Sequence, residues 1–88
     1  MGSYKIEFKR SAERDIRRVQ AALIPRILEK VEALGDDPSP RQSLKLSGTE
    51  ATYRLRIGEY RVIYSVDSET KTVVVYYIRH RREAYRRL

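Results

Sequence analysis

The chain of 88 residues contains no cysteine, which excludes a disulfide scaffold and any thiolate metal site. Its one histidine, His80, cannot assemble an imidazole metal site by itself. There is no tryptophan, and the longest apolar run, Val73 to Ile78, falls far short of the ~20 residues a membrane-crossing helix needs. No secretory leader is visible at the start. A glycine-rich phosphate loop and a nucleophile–histidine–acid set are both missing. The carboxylates are scattered as on a solvated surface. The one adjacent acidic pair, Asp36-Asp37, stands before Pro38 in a turn, where capping accounts for it better than metal binding. These absences lead to the expectation of a cytoplasmic chain with no metal, no cofactor and no membrane partner.

What the chain does have is positive charge. Nineteen Lys and Arg face twelve Asp and Glu, a formal net charge of +7. The excess is uneven: residues 1–44 hold nine basic against seven acidic residues, and residues 45–88 hold ten against five. Nucleic acid is therefore the leading partner class, ahead of an anionic membrane surface or an acidic protein. The length allows one domain over 1–88, burying ~60–65% of its unfolded surface.

Tyr4, Ile6 and Phe8 alternate with Lys5, Glu7 and Lys9, which predicts a half-buried first strand. Ser11 is the candidate N-cap of a helix whose stripe is Ala12, Ile16, Val19 and Leu23, three turns long, with Glu13 and Asp15 near its positive end. Pro25 marks the first turn of a second helix, with Ile24, Ile27, Leu28, Val31 and Leu34 as its apolar stripe and Gly35 as its stop. Residues 36–50 read as loop, anchored by Leu44 and Leu46. Strands follow over 53–57 and 60–66, joined at Gly58-Glu59, and the β-branched and aromatic run from Thr72 to Ile78 is the candidate central strand. The tyrosines Tyr60, Tyr64, Tyr76 and Tyr77 read as strand packing. The expected fold is α+β: an N-terminal strand, a helical hairpin, a three-stranded antiparallel meander and a short basic C-terminal tail or helix, with one sheet face left open.

The segment from Tyr53 to Tyr64 is the most informative. Strand side chains alternate, so Arg54 and Arg56 share the face opposite Tyr53, Leu55 and Ile57, and Arg61 can join them across the hairpin. Three guanidinium groups on one face repel one another unless something anionic lies there, and a phosphate backbone suits them. Lys45 lies upstream, and five more arginines follow residue 78. In the tail, Tyr85 among arginines suits base stacking. Imidazole changes its charge near neutrality, which makes His80 a candidate acid or base.

The phrase Leu46-Ser-Gly-(x4)-Tyr-Arg-Leu-Arg-Ile-Gly-Glu-Tyr-Arg-Val-Ile-Tyr64, with its following β run and His-Arg-Arg-Glu-Ala-Tyr85, resembles the RelE branch of the RelE/ParE toxin superfamily. The likeness spans nearly the whole chain and implies a compact RelE-like fold. It also implies a metal-independent endoribonuclease that cuts mRNA in the ribosomal A site, the ribose 2′-hydroxyl attacking the adjacent phosphate. By the same resemblance, Arg61 neutralises the scissile phosphate and Tyr85 orients the substrate base. Arg54 and Arg56 stand where relatives place two lysines. Arg81 matches the tail arginine by its His-Arg context and is the assignment preferred, with Arg79, which matches by distance from Tyr85, as the alternative. Lys45, Arg79, His80 and Arg82 complete the expected RNA-contacting set. Guanidinium keeps its proton, so the base for the 2′-hydroxyl would be His80, Glu59 or water. The implied partners are a RelB-like cognate antitoxin, the ribosome with its mRNA and, only through the antitoxin, operator DNA. Two other readings remain: a ParE-like inhibitor of DNA gyrase, and a plain basic RNA-binding domain.

Overall fold

The computed structural model describes residues 4–46 and 51–83. The alternating start forms β1 (Lys5–Phe8), followed by α1 (Arg10–Ile16), a 3₁₀ turn over 21–23, α2 (Ile24–Glu32) and a second 3₁₀ turn over 33–35. Four strands follow: β2 (Ser43–Lys45), β3 (Thr52–Ile57), β4 (Tyr60–Asp67) and β5 (Thr72–His80). They lie in one sheet in the order β1-β5-β4-β3-β2. The β2–β5 pairings are antiparallel, whereas β1 runs parallel to β5, Lys5 opposite Thr72 and Phe8 opposite Val75. Among the described residues, no helix is long and apolar enough to cross a membrane.

The helices cover one face of the sheet. Ala12, Ile27, Val31 and Leu34 pack on Leu55, Ile57, Val62, Tyr64, Val73, Val75 and Ile78. Each large aliphatic side chain buried there contributes about 1.5–3 kcal/mol. The α+β order read from the sequence is the order found, with Pro25 in the first turn of α2. Three details differ. The first helix stops at Ile16, because the amides of Arg18 and Val19 turn back to Asp15 and Ile16 three residues earlier. Val19 is buried nonetheless, so the stripe reported burial correctly and helix length incorrectly. The N-cap is Lys9; Ser11 lies inside α1, and its hydroxyl donates to the Tyr76 carbonyl. The 36–50 stretch contains the edge strand β2, and Leu44, expected as an anchor, is 56% exposed.

α1 also completes the edge of β5. Strand β1 ends at Phe8, leaving the second half of β5 without a strand neighbour on that side. The Lys9 amide bonds the Val75 carbonyl at 2.9 Å, Ser11 caps Tyr76, and Asp15 Oδ2 accepts the Ile78 amide at 3.0 Å. Just there β5 carries a bulge: Tyr64 faces Val75 and Ile63 faces Tyr77, so Tyr76 is the extra residue. A bulge reverses which side chains point to which face. Val73, Val75 and Ile78 therefore point to the helices, and Tyr77 and Arg79 are turned to the open face.

Candidate nucleic-acid interface

The β3–β4 hairpin closes through Gly58 and Glu59, with Ile57 opposite Tyr60. Gly58 has φ +58°, and Glu59 has no positive φ, the pattern of a II′ hairpin turn with glycine first. That turn fixes the register and places Arg56 directly opposite Arg61. After the bulge, Arg61 is in turn opposite Arg79. Arg56, Arg61 and Arg79 thus form a row across three adjacent strands. The neighbouring row runs Leu44, Arg54, Ile63, Tyr77 across four strands. Ile63 is buried, yet it lies outside the helix-side core, as expected for a residue on the opposite face.

Arg61 is 7% exposed, and its Nη1 donates to the carbonyls of Gly58 and Tyr60, each at 2.9 Å. Among the described residues, no carboxylate comes within ion-pair distance of Arg61 or Arg56. Strands lie about 5 Å apart, where two unit charges repel by roughly 1 kcal/mol in water and roughly 3 kcal/mol at partial burial. An arriving phosphate relieves that repulsion and accepts hydrogen bonds from several donors at once. Beside the row, Arg41, Gln42, Ser43, Leu44, Arg54, Arg56 and Arg61 line an open cavity of about 340 Å³.

Arg79 is held differently. Its Nε lies 3.0 Å from Asp15 Oδ2, and its guanidinium carbon lies 4.5 Å from the Tyr77 ring centroid. Past β5 the chain turns back on the hairpin at Arg81. The Arg81 amide donates to the Glu59 carbonyl at 2.7 Å, and Arg81 Nη1 lies 3.8 Å from Glu59 Oε1. His80 faces away from the arginine row: it is opposite Tyr60, packs edge-on to that ring at 5.6 Å, and its Nδ1 accepts the Arg82 amide at 3.3 Å. Asp15, Glu59, Arg79, His80, Arg81 and Arg82 are among the residues lining a second cleft of about 730 Å³ at this corner.

The expected site residues thus divide. Arg54, Arg56, Arg61 and Arg79 share the open face. His80 stands on the other side, and Arg81 and Arg82 are exposed at the corner. Lys45 is opposite Tyr53, whose ring stacks on Tyr64 at 5.5 Å, so Lys45 is not on the arginine face. Tyr85 lies outside the described residues. Arg41, Asp15 and Tyr77 belong to the surroundings of the site without having been expected there. Asp15 had a signal, since it follows Ala12 by three and precedes Val19 by four, a carboxylate on the buried helix stripe. Arg41 had none, lying in an irregular segment. Nearer the sheet's other end, burial pushes the Tyr64 hydroxyl up to about 12, and it donates to the Pro38 carbonyl at 2.6 Å. Among the described residues, no three His, Cys, Asp or Glu side chains gather as a metal site.

Comparison with known proteins agrees with this fold. A family model described as the ParE toxin of a type II toxin–antitoxin system matches residues 6–85. Toxin RelG of Mycobacterium tuberculosis is 33% identical, over 96% of this chain and 98% of its own. The archaeal RelE–RelB complex of Pyrococcus horikoshii contains a chain of similar fold, with TM-score 0.79 and 31% identity over 90% of this chain and 96% of that one. The toxin–antitoxin complex RelBE2 of Mycobacterium tuberculosis contains another, with TM-score 0.79 and 28% identity over 90% and 99%.

Proposed function

Because this chain belongs to the RelE/ParE superfamily of type II toxin–antitoxin toxins, we propose that it is a ribosome-dependent endoribonuclease cutting mRNA in the A site. The observation that carries the reading is the Arg56–Arg61–Arg79 row, a line of cations in which Arg61 at the centre is anchored by turn carbonyls and Arg79 at the end by Asp15. Attack of a ribose 2′-hydroxyl on the next phosphate forms the O2′–P bond and breaks the P–O5′ bond, giving a 2′,3′-cyclic phosphate and a 5′-hydroxyl. The attacking hydroxyl's proton goes to a base and the departing oxygen takes one up. Negative charge builds on the equatorial oxygens of the pentacoordinate phosphorane. Fixed guanidinium donors stabilise that charge more than they stabilise the ground state. Arg61 meets the scissile phosphate, Arg54 and Arg56 draw the backbone along β3, and Arg81 and Tyr85 are the tail residues assigned to the substrate.

The row contains no proton acceptor, since guanidinium stays protonated. The base is assigned to water or to Glu59 at the hairpin tip. His80 is the weaker candidate, because its Nδ1 lone pair takes the Arg82 amide. In-line geometry is rare in relaxed RNA, so holding the mRNA contributes as much as the charge does.

The proposed partner is an antitoxin covering Arg54, Arg56 and Arg61 or displacing the tail, as the Pyrococcus and Mycobacterium chains were solved bound to theirs. Operator DNA would be contacted through that antitoxin.

Primer extension on a defined mRNA, with and without purified ribosomes, tests the reading. Ribosome-dependent cuts at the A-site codon, lost in Arg61→Ala, are the expected result. One observation favours a second reading: the matching family model is that of ParE toxins. A gyrase inhibitor would cut nothing in that assay and would block supercoiling.

A further inference from the structure

Tyr77 is the most exposed aromatic ring among the described residues, at 37%, and the helix-side core does not use it. It reaches the open face only because the bulge at Tyr76 reverses the strand's alternation. Two residues on, Arg79 lays its guanidinium over the ring at 4.5 Å, and the 3.0 Å bond from its Nε to Asp15 fixes that pose. Tyr77 is opposite Ile63, which places it diagonally from Arg61. Diagonal neighbours across a strand pair lie about 7–8 Å apart, within reach of an adjoining base and phosphate of one strand.

Resting on the RNA reading above, we propose that Tyr77 and Arg79 form a stacking platform for an unpaired base of single-stranded RNA, beside the phosphate that Arg61 binds. The platform has an aromatic face and a guanidinium plane that stack on bases without reading their identity. Asp15 is its positioning residue: it restrains Arg79 through Nε, a contact that does not engage the η nitrogens. The occupant is a nucleic acid strand rather than an acidic protein because a planar ring paired with a planar cation matches a planar base, and the adjacent cation row matches its phosphates.

The test is binding of a short single-stranded RNA carrying 2-aminopurine at successive positions, followed by anisotropy and by quenching of the base. The expected result is a position whose fluorescence the wild-type chain quenches, Tyr77→Phe still quenches and Tyr77→Val does not. Tyr77→Val should weaken binding by about 5- to 100-fold. Its plot of log affinity against log salt should stay parallel to wild type, because no phosphate contact is lost. Arg79→Ala should instead flatten that slope by about 0.7. Valine is at home in an exposed strand position, so Tyr77→Val keeps the fold. Equal binding and quenching by Tyr77→Val and wild type would overturn the platform, and so would equal losses in Tyr77→Phe and Tyr77→Val. The nuclease reading fails separately: a chain that binds and quenches but does not cut mRNA on ribosomes refutes the nuclease and keeps the platform.

Discussion

Asp15 and Arg79 are joined by a 3.0 Å bond from Nε to Oδ2, and the same carboxylate oxygen accepts the Ile78 amide at 3.0 Å. One carboxylate therefore locks α1 to the bulged half of β5 and fixes the outermost arginine of the row. Asp15 is 4% exposed, so its removal leaves an amide and a cation without their acceptor. Asp15→Ala should lose about 2–4 kcal/mol in urea unfolding, given what broken buried pairs cost and that Arg79 keeps some solvent. Asp15→Asn keeps an acceptor oxygen and should lose about half as much. Equal losses in the two variants would show that the carboxylate's charge contributes nothing.

The open face tests the electrostatic part of the site. Arg56 is exposed and lies opposite Arg61. Removing a cation that contributes repulsion and, among the described residues, no ion pair should cost little stability. Arg56→Ala should unfold within about 0.5 kcal/mol of wild type. Its affinity for single-stranded RNA should fall, with the log–log salt slope about 0.7 smaller, one phosphate contact fewer. An unchanged slope would place the RNA elsewhere.

Arg61 should behave differently under a conservative change. Its Nη1 alone donates to two turn carbonyls, and the guanidinium has two further nitrogens to offer a phosphate. The single nitrogen of a lysine cannot hold the turn and present a planar donor pair at once. Arg61→Lys should therefore cut ribosome-bound mRNA about 10- to 1,000-fold more slowly in single-turnover assays, the range for losing one fixed transition-state donor. Full activity in Arg61→Lys would mean that charge alone suffices there.

Alkaline pH isolates Tyr64. Burial raises its hydroxyl from 10.0 to about 12, so the folded state holds the neutral phenol more tightly than the unfolded chain does. That stability is fully present below pH 10 and drains away as the pH rises through about 12. Tyr64→Phe should lose about 1 kcal/mol at neutral pH through the missing bond to the Pro38 carbonyl. It should also fall less steeply than wild type between pH 10 and 12 in denaturant titrations. Parallel curves would locate the alkaline sensitivity in another tyrosine.

How far the sequence could be read depended on the range of the interaction. The alternation at Tyr53–Ile57 and the glycine of the turn gave the hairpin and its face, because side-chain period and turn geometry are local. The helical stripe gave burial, since Ala12 and Val19 are both buried, but it overran the end of α1 at Ile16. Leu44 looked like an anchor because hydrophobicity alone does not say which face an edge strand turns outward. The bulge was not legible: Val73 to Ile78 is apolar throughout, so no alternation marks the reversal at Tyr76. With it went the position of Arg79 opposite Arg61 and the separation of His80 from the row.

The reversal can be tested on stability alone. Strict alternation from Val73 and Val75 would point Tyr77 at the helices and Ile78 at solvent. The structure has the opposite, with Ile78 2% exposed and Tyr77 37% exposed. Ile78→Ala should therefore cost about 2–4 kcal/mol, the usual loss for a buried isoleucine. Tyr77→Ala should cost about 1 kcal/mol, mostly from its contact with Arg79 and the lower strand preference of alanine. Equilibrium urea unfolding of the two variants checks the order. If Tyr77→Ala is the more damaging, β5 runs without the bulge, Arg79 leaves the open face and the three-arginine row shrinks to the pair Arg56 and Arg61.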